Sequence, residues 1–177
     1  MSDKPVAAGK SSFDLIDSSK LFSKLELKDN VSLLDLACGS GAYSIAASEY
    51  LSSGGIIHAV DLWEEGISIL SNEIRSRKKT NIYPYVADFS KRIPLANHSI
   101  DICLMAKVLH DLIEDKTDSG TMREVKRVLK KDGKLAIIEF KKMAGPPGPP
   151  IEIRLSPEEL AKYCESYSLR QTVTIEI

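Results

Sequence analysis

An apolar run at residues 31–36 closes on Ala37-Cys38-Gly39-Ser40-Gly41, and a helix-spaced segment at 43–51 follows at once. A short apolar run ended by glycines reads as a buried strand that turns sharply into a helix. Such a strand needs neighbours on both edges and layers on both faces. The rest of the chain supplies them. Residues 56–60, 82–86, 100–105 and 135–140 are strand-like. Helical spacing separates them at 64–77, through Ile67, Leu70 and Ile74, and at 121–129, through Val125, Val128 and Leu129. Ser52-Ser53-Gly54-Gly55 is the predicted stop of the first helix, and Lys131-Asp132-Gly133 that of the helix before the fifth strand. Gly145-Pro146-Pro147-Gly148-Pro149-Pro150 lacks the donors that a helix or central strand needs. Ser156-Pro157-Glu158-Glu159 opens a late helix with a serine cap and a glutamate at the capping-box position; it runs to about Tyr167. Residues 171–177 alternate like a sixth strand. The order predicts an α/β protein with a doubly wound, mainly parallel sheet.

Length bounds the rest. A chain of 177 residues is room for a single domain, 1–177, with a core that needs neither disulfides nor a structural metal. Residues 1–25 read as a mobile N-terminal lid segment that ends in a broken amphipathic helix carrying Phe13, Ile16, Leu21, Phe22 and Leu25. A net charge of −1 argues against a dedicated nucleic-acid or anionic-membrane binder. No apolar run reaches the roughly 18 residues of a membrane span, and 1–10 has no signal-peptide core. Cys38, Cys103 and Cys164 are odd in number and far apart, so the expected setting is reducing and cytoplasmic.

In a doubly wound sheet the ligand lies past the carboxyl ends of the strands, at the first strand-to-helix turn. Gly39 and Gly41 stand there, where missing Cβ atoms let backbone approach a ligand. Asp61 ends the second strand about 20 residues on, where a carboxylate accepts from ribose hydroxyls. Asp88 ends the third, within reach of an adenine edge. A dinucleotide or S-adenosylmethionine would suit this unit. Asp35, just before the turn, would repel a pyrophosphate and attract a methionyl ammonium, which favours S-adenosylmethionine. The dinucleotide fingerprint also wants a third Gly or Ala where this chain reads Tyr43-Ser44.

Leu33-Leu34-Asp35-Leu36-Ala37-Cys38-Gly39-Ser40-Gly41 resembles the first motif of class I S-adenosylmethionine-dependent methyltransferases. Ala59-Val60-Asp61-Leu62 resembles their acidic second-strand motif, Ala87-Asp88-Phe89 their adenine-side motif, and Ser99–Met105 their fourth strand. The likeness runs from Val31 to about Phe140 and is nearest to the small methyltransferases of ubiquinone and menaquinone biosynthesis. It implies a Rossmann-like sheet of six or seven strands. Six are countable here, so the closing strand is expected to be missing, leaving an open edge that a second copy could pair with. It implies S-adenosylmethionine as cofactor, held by Asp35, Ala37, Gly39, Gly41, Asp61, Leu62, Asp88 and Phe89, with the Ala106 carbonyl toward the ammonium. Ala37 departs from the family's usual glycine.

Methyl transfer asks mainly for alignment in a site shielded from water. Where the acceptor must lose a proton, His110, just past the fourth strand, could be the catalytic base; alternatively it packs or caps the following helix. Asp111 reads as a helix cap, and His58 and His98 as non-functional. Met105-Ala106-Lys107-Val108 lacks the Pro-Pro-aromatic motif of amino-methylating enzymes, paired carboxylates for magnesium are not evident, and the cysteines are too dispersed for arsenite chemistry. No metal is expected. The sequence therefore predicts a methyltransferase acting on a small-molecule acceptor through 1–25, 106–111 and 141–155. The alternative is a methyltransferase-like module that binds cofactor or a partner without its own catalysis.

Overall fold

The structure is a computed structural model that describes residues 11–51 and 54–177. Most of the proposed lid's tip, residues 1–10, and the Ser52-Ser53 half of the first helix stop lie outside the described residues.

Five parallel strands form one sheet: β1 (Ser32–Leu36), β2 (Ile56–Asp61), β3 (Ile82–Val86), β4 (Ile100–Ala106) and β5 (Leu129–Ile138), in the order β3-β2-β1-β4-β5. The helices are α1 (Ser18–Leu25), α2 (Ala42–Tyr50), α3 (Glu64–Ser76), α4 (Leu109–Glu114), α5 (Asp118–Val128) and α6 (Pro157–Glu165). Successive residues of the central strand feed opposite faces of the sheet. Leu33 joins a core with Phe22, Ala47 and Leu70 from α1, α2 and α3. Leu34 and Leu36 join a second core with Leu109, Met122 and Val125 from α4 and α5. Each of these leucines is wholly buried, which stabilises the fold by about 1.5–3 kcal/mol per side chain.

Local chemistry sets the boundaries. The broken N-terminal helix is a 3-10 turn, Phe13–Leu15, then α1, whose first turn is capped by Asp17 accepting from the Lys20 N–H at 2.9 Å. Ser156 and Glu159 form the expected capping box on α6. Two expectations are corrected. Lys131-Asp132-Gly133 is no helix stop: Leu129 is already extended, so α5 passes directly into β5. The turn residues sit inside β5 as a register shift between Ile100 and Ile102 of β4. A side chain at Gly133 would stand 3.0 Å from the Ile100 carbonyl, which keeps glycine there.

The sheet has five strands among the described residues, not six or seven. Residues 171–177 are irregular because their alternation has no ladder beside it. That segment is held instead by a Lys141–Glu176 ion pair at 2.9 Å and by Ile177 against the first core. β5 is thus one sheet edge and β3 the other. In β3 the Asn81 carbonyl and the Ala87 N–H bond to β2, and strand alternation then turns Pro84 outward. Its missing donor faces the free edge, where it costs no ladder bond.

Candidate functional site

The strand order reverses between β1 and β4, and the crevice past their carboxyl ends is the ligand position of such sheets. Both strands leave the sheet through a left-handed residue that is not glycine: Ala37 (φ 61°) and Lys107 (φ 55°). That conformation costs an L-residue about 1–2 kcal/mol. The Ala37 N–H donating to Val60 at 2.9 Å and the Lys107 N–H donating to Ile138 at 2.7 Å hold the two turns in place. Strain of this kind concentrates at functional sites.

The turn after β1 is open on one side and packs against helix α3 on the other. A Cβ at Gly39 would meet nothing within 4 Å, so this residue faces open space. A Cβ at Gly41 would run into the Leu70 side chain, and φ there is 80°. We expect Gly41→Ala to lower stability by about 1–3 kcal/mol, read as a lower denaturant midpoint; an unchanged midpoint would show that α3 yields freely. Gly66 is needed for the same docking, since its Cβ would lie 2.8 Å from the Gly39 carbonyl oxygen.

Asp61 fixes the turn. One carboxylate oxygen accepts from the Gly39 N–H and the other from the Trp63 N–H, both at 2.7 Å. Each oxygen keeps a lone pair for a further donor. Asp35 lies behind the turn, buried, and accepts from the Ser44 hydroxyl at 2.6 Å. Burial pushes its pKa up to about 6, opposed by the Ser44 hydrogen bond and reinforced by the Asp61 charge. Asp35, Gly39, Gly41 and Asp61 therefore come together, with Ala37 at the pivot.

The remaining cofactor candidates divide. Leu62 is 53% exposed beside Asp61, whereas Phe89 is 8% exposed and belongs to the second core. Asp88 accepts from Lys91 at 2.8 Å and from the Ser90 hydroxyl at 2.6 Å, contacts that in that order hold its carboxyl below the usual range. Ala106 is the last residue of β4.

Past Ala106 stands a group that the sequence reading missed in part. His110, 5% exposed, shares a 2.7 Å hydrogen bond through Nδ1 with Oε2 of Glu139. The other oxygen of Glu139 accepts from the backbone N–H groups of Leu109 (3.1 Å) and His110 (3.3 Å), capping α4 from outside. Asp111 caps nothing through its side chain; its Oδ1 lies 3.5 Å from His110 Nε2. Burial would lower the His110 pKa, but the Glu139 hydrogen bond and the charges of Glu139, Asp111 and Glu114 outweigh it and raise the value. Glu139 follows β5 as Asp61 ends β2, so an acid at a strand end was the available signal. Phe140 follows, with Lys107 Nζ 4.2 Å above its ring. Burial lowers the Lys107 pKa against the pull of Glu139.

Residues 141–150 wrap over Phe140 and are gathered by Arg154. Its guanidinium donates to five carbonyls: Lys141 (3.1 Å), Met143 (2.8 Å), Gly145 (2.7 Å), Pro147 (3.0 Å) and Pro149 (2.8 Å). The other candidates lie elsewhere. His58 meets the Tyr85 hydroxyl at 3.2 Å, and His98 the Leu129 carbonyl at 3.1 Å. The cysteines are unpaired; burial pushes the Cys38 and Cys103 thiols well up.

Comparison with known proteins matches residues 27–174 to a family model described as a methyltransferase domain. The chain is 26% identical over 127 residues to a demethylmenaquinone methyltransferase of Lactobacillus johnsonii, covering 72% of this chain and 51% of that protein. It is 27% identical over 115 residues to the ubiquinone/menaquinone biosynthesis C-methyltransferase UbiE of a Shewanella species, covering 65% and 45%. The chain thus spans about half the length of these relatives. Among solved structures, an S-adenosylmethionine-dependent methyltransferase from Aquifex aeolicus superposes with a TM-score of 0.84 at 28% identity, over 95% of this chain and 87% of that one. The [4+2]-cyclase SpnF shares the fold at 20% identity with a TM-score of 0.71, over 93% and 59%. The architecture alone therefore does not fix the chemistry.

Proposed function

The chain belongs to the class I S-adenosylmethionine-dependent methyltransferases, and from that premise we propose that it transfers a methyl group to a small-molecule acceptor by in-line displacement. The observation that carries this reading is the Asp35–Gly39–Asp61 arrangement. A glycine facing open space lies between two carboxylates, which suits a ligand with hydroxyl donors and a cationic end. S-adenosylmethionine supplies a methyl group already activated on a sulfonium. The residues around the turn fit such a group. Asp61 has lone pairs for ribose hydroxyls, Leu62 offers an open apolar face to the adenine, and Asp35 contributes negative charge toward the ammonium. Gly41 and Ala37 shape the backbone cradle, the Ala106 carbonyl adds an acceptor, and Asp88 reaches the adenine edge if Lys91 swings aside. Phe89 backs that face from within the core.

Acceptor chemistry belongs to the other half of the crevice, with Lys107, His110, Phe140 and the Arg154-bound loop. The relatives' names support a demethylated quinone, Phe140 offers its ring an aromatic surface, and a role for His110 as base calls for the reduced form with hydroxyls on the ring. His110 serves as the base in this reading. A partner-module reading without catalysis would use the β5 edge, where a second copy could also pair; formation of S-adenosylhomocysteine decides between them.

Calorimetric titration with S-adenosylmethionine, S-adenosylhomocysteine and NAD tests the proposal. We expect the first two to bind and NAD not to; binding of NAD alone would end it. Asp61→Ala should weaken S-adenosylmethionine by about 1–3 kcal/mol through lost charge-assisted hydrogen bonds. Unchanged affinity in a folded variant would remove Asp61 from the site.

A further inference from the structure

Glu139 does three things with one carboxylate. It accepts two backbone N–H groups at the start of α4 through Oε1, and it meets the His110 ring through Oε2 at 2.7 Å. An ionised carboxylate only accepts. The ring nitrogen bonded to it at 2.7 Å therefore carries the proton, whereas Nε2, whose neighbouring Asp111 Oδ1 is 3.5 Å away and outside good hydrogen-bond distance, keeps its lone pair in the neutral imidazole. Both side chains are largely buried, 5% and 7% exposed, so neither the ring nor the carboxylate is free to turn away. Phe140, edge-on to the imidazole with centroids 6.4 Å apart, closes one side of the ring.

We propose that Glu139 is a positioning residue that locks His110 in the Nδ1–H form and presents Nε2 as a proton acceptor. The acceptor substrate is accordingly one whose methylated atom carries a hydrogen that must be removed, such as a phenolic O–H or the ring C–H of a hydroquinone, and not a tertiary amine or thioether. This rests on the methyl-transfer reading given above. The balance closes without a further reagent. The acceptor's electron pair forms the new bond to the methyl carbon, the sulfur keeps the pair of the bond that breaks, and the acceptor's proton passes to Nε2. The imidazolium so formed is stabilised by Glu139 on one side and Asp111 on the other. The charged groups acting on the ring are Glu139, just past β5, and Asp111 and Glu114 from α4, while Lys107, from the turn before α4, acts on Glu139.

Glu139→Gln is the informative substitution. Its amide oxygen can still accept from the Leu109 and His110 N–H groups and keep α4 capped. Its NH2 would donate to Nδ1 and force the ring proton onto Nε2. With three histidines in the chain, nitrogen-15 NMR of labelled imidazoles can follow each ring. We expect His110 to be protonated at Nδ1 when neutral in the wild type and at Nε2 in Glu139→Gln, with a lower titration midpoint in the variant. Protonation at Nε2 in the wild type, or an unmoved midpoint, overturns the positioning role. Turnover of a reduced demethylmenaquinone analogue should fall about 10²–10⁴-fold in kcat with KM little changed. An unchanged kcat overturns the base assignment. S-adenosylmethionine affinity, measured in parallel, should be the same in both proteins. If the wild type fails to bind it, the cofactor reading fails, while the NMR result still decides the role of Glu139. Equal melting temperatures establish that the variant is folded.

Discussion

At pH 7.5 an Asp35→Asn protein should be more stable than the wild type by roughly 3 kcal/mol, and at pH 4 the two should be nearly equal. Asp35 is buried behind the β1 turn, where burial raises its pKa from 3.8 to about 6. One pKa unit corresponds to about 1.4 kcal/mol, so ionising this group in the folded state costs roughly 3 kcal/mol. The sign follows from linkage. A carboxyl with a raised folded pKa favours the fold while protonated, and that contribution is full below 3.8 and lost as pH rises through about 6. Asparagine keeps an acceptor for the Ser44 hydroxyl and carries no charge. Urea unfolding at the two pH values checks this, and a gain independent of pH would show that charge is not the cause. The same substitution should weaken S-adenosylmethionine, because the charge that burdens the fold is the one we propose to act on the ligand's ammonium. A cationic ligand should also draw Asp35 into its ionised form, so binding near pH 6 should release protons, visible as a dependence of the binding heat on buffer.

Arg154→Met should open the loop over Phe140. Residues 141–150 contain four prolines, and a single backbone hydrogen bond inside them, Met143 to Lys141, is recorded among the described residues. Carbonyls outnumber donors, and Arg154, 5% exposed, provides five N–H donors at once. Hydrogen bonds to a charged group contribute about 1.5–3 kcal/mol each, so together they offset much of the cost of ordering this segment. We expect the variant to raise the open population more than a hundredfold, equivalent to about 3 kcal/mol. Tryptic cleavage after Lys141 or Lys142 should then be fast, while the wild type resists. Arg154→Lys should not restore protection, since one ammonium with three donors cannot span five carbonyls. Equal resistance in all three proteins would show that packing on Phe140 alone holds the loop.

The strands and the turn after β1 were legible in the sequence because burial on both faces leaves unbroken apolar runs, and because two glycines close together punctuate the chain where the strand turns into its helix. Asp35, Asp61 and Asp88 could be placed for the same reason: each lies in or closes such a run. What failed was local in a different way. α4 is too short to show a period, and β5 begins inside a polar stretch, Lys130–Lys134, that no alternation marks. Residues 171–177 alternate correctly and still form no strand, since alternation describes a side-chain pattern and pairing needs a neighbour. Glu139 and Arg154 act on residues brought near them only by the fold, so spacing alone could not assign their partners, although a carboxylate just past β5 repeats the pattern of Asp61.

Pro84 gives the sheet a direction of growth. With its ring on the outer side of β3, that edge offers an interrupted row of donors and is a poor template for another strand. The edge at β5 has no such interruption between Lys134 and Ile138. A strand added to this sheet would therefore find its better template at β5, beside Glu139 and Phe140. Addition there would adjoin the proposed acceptor half of the crevice and stand apart from the Gly39–Gly41 turn, which lies on the far side of β4.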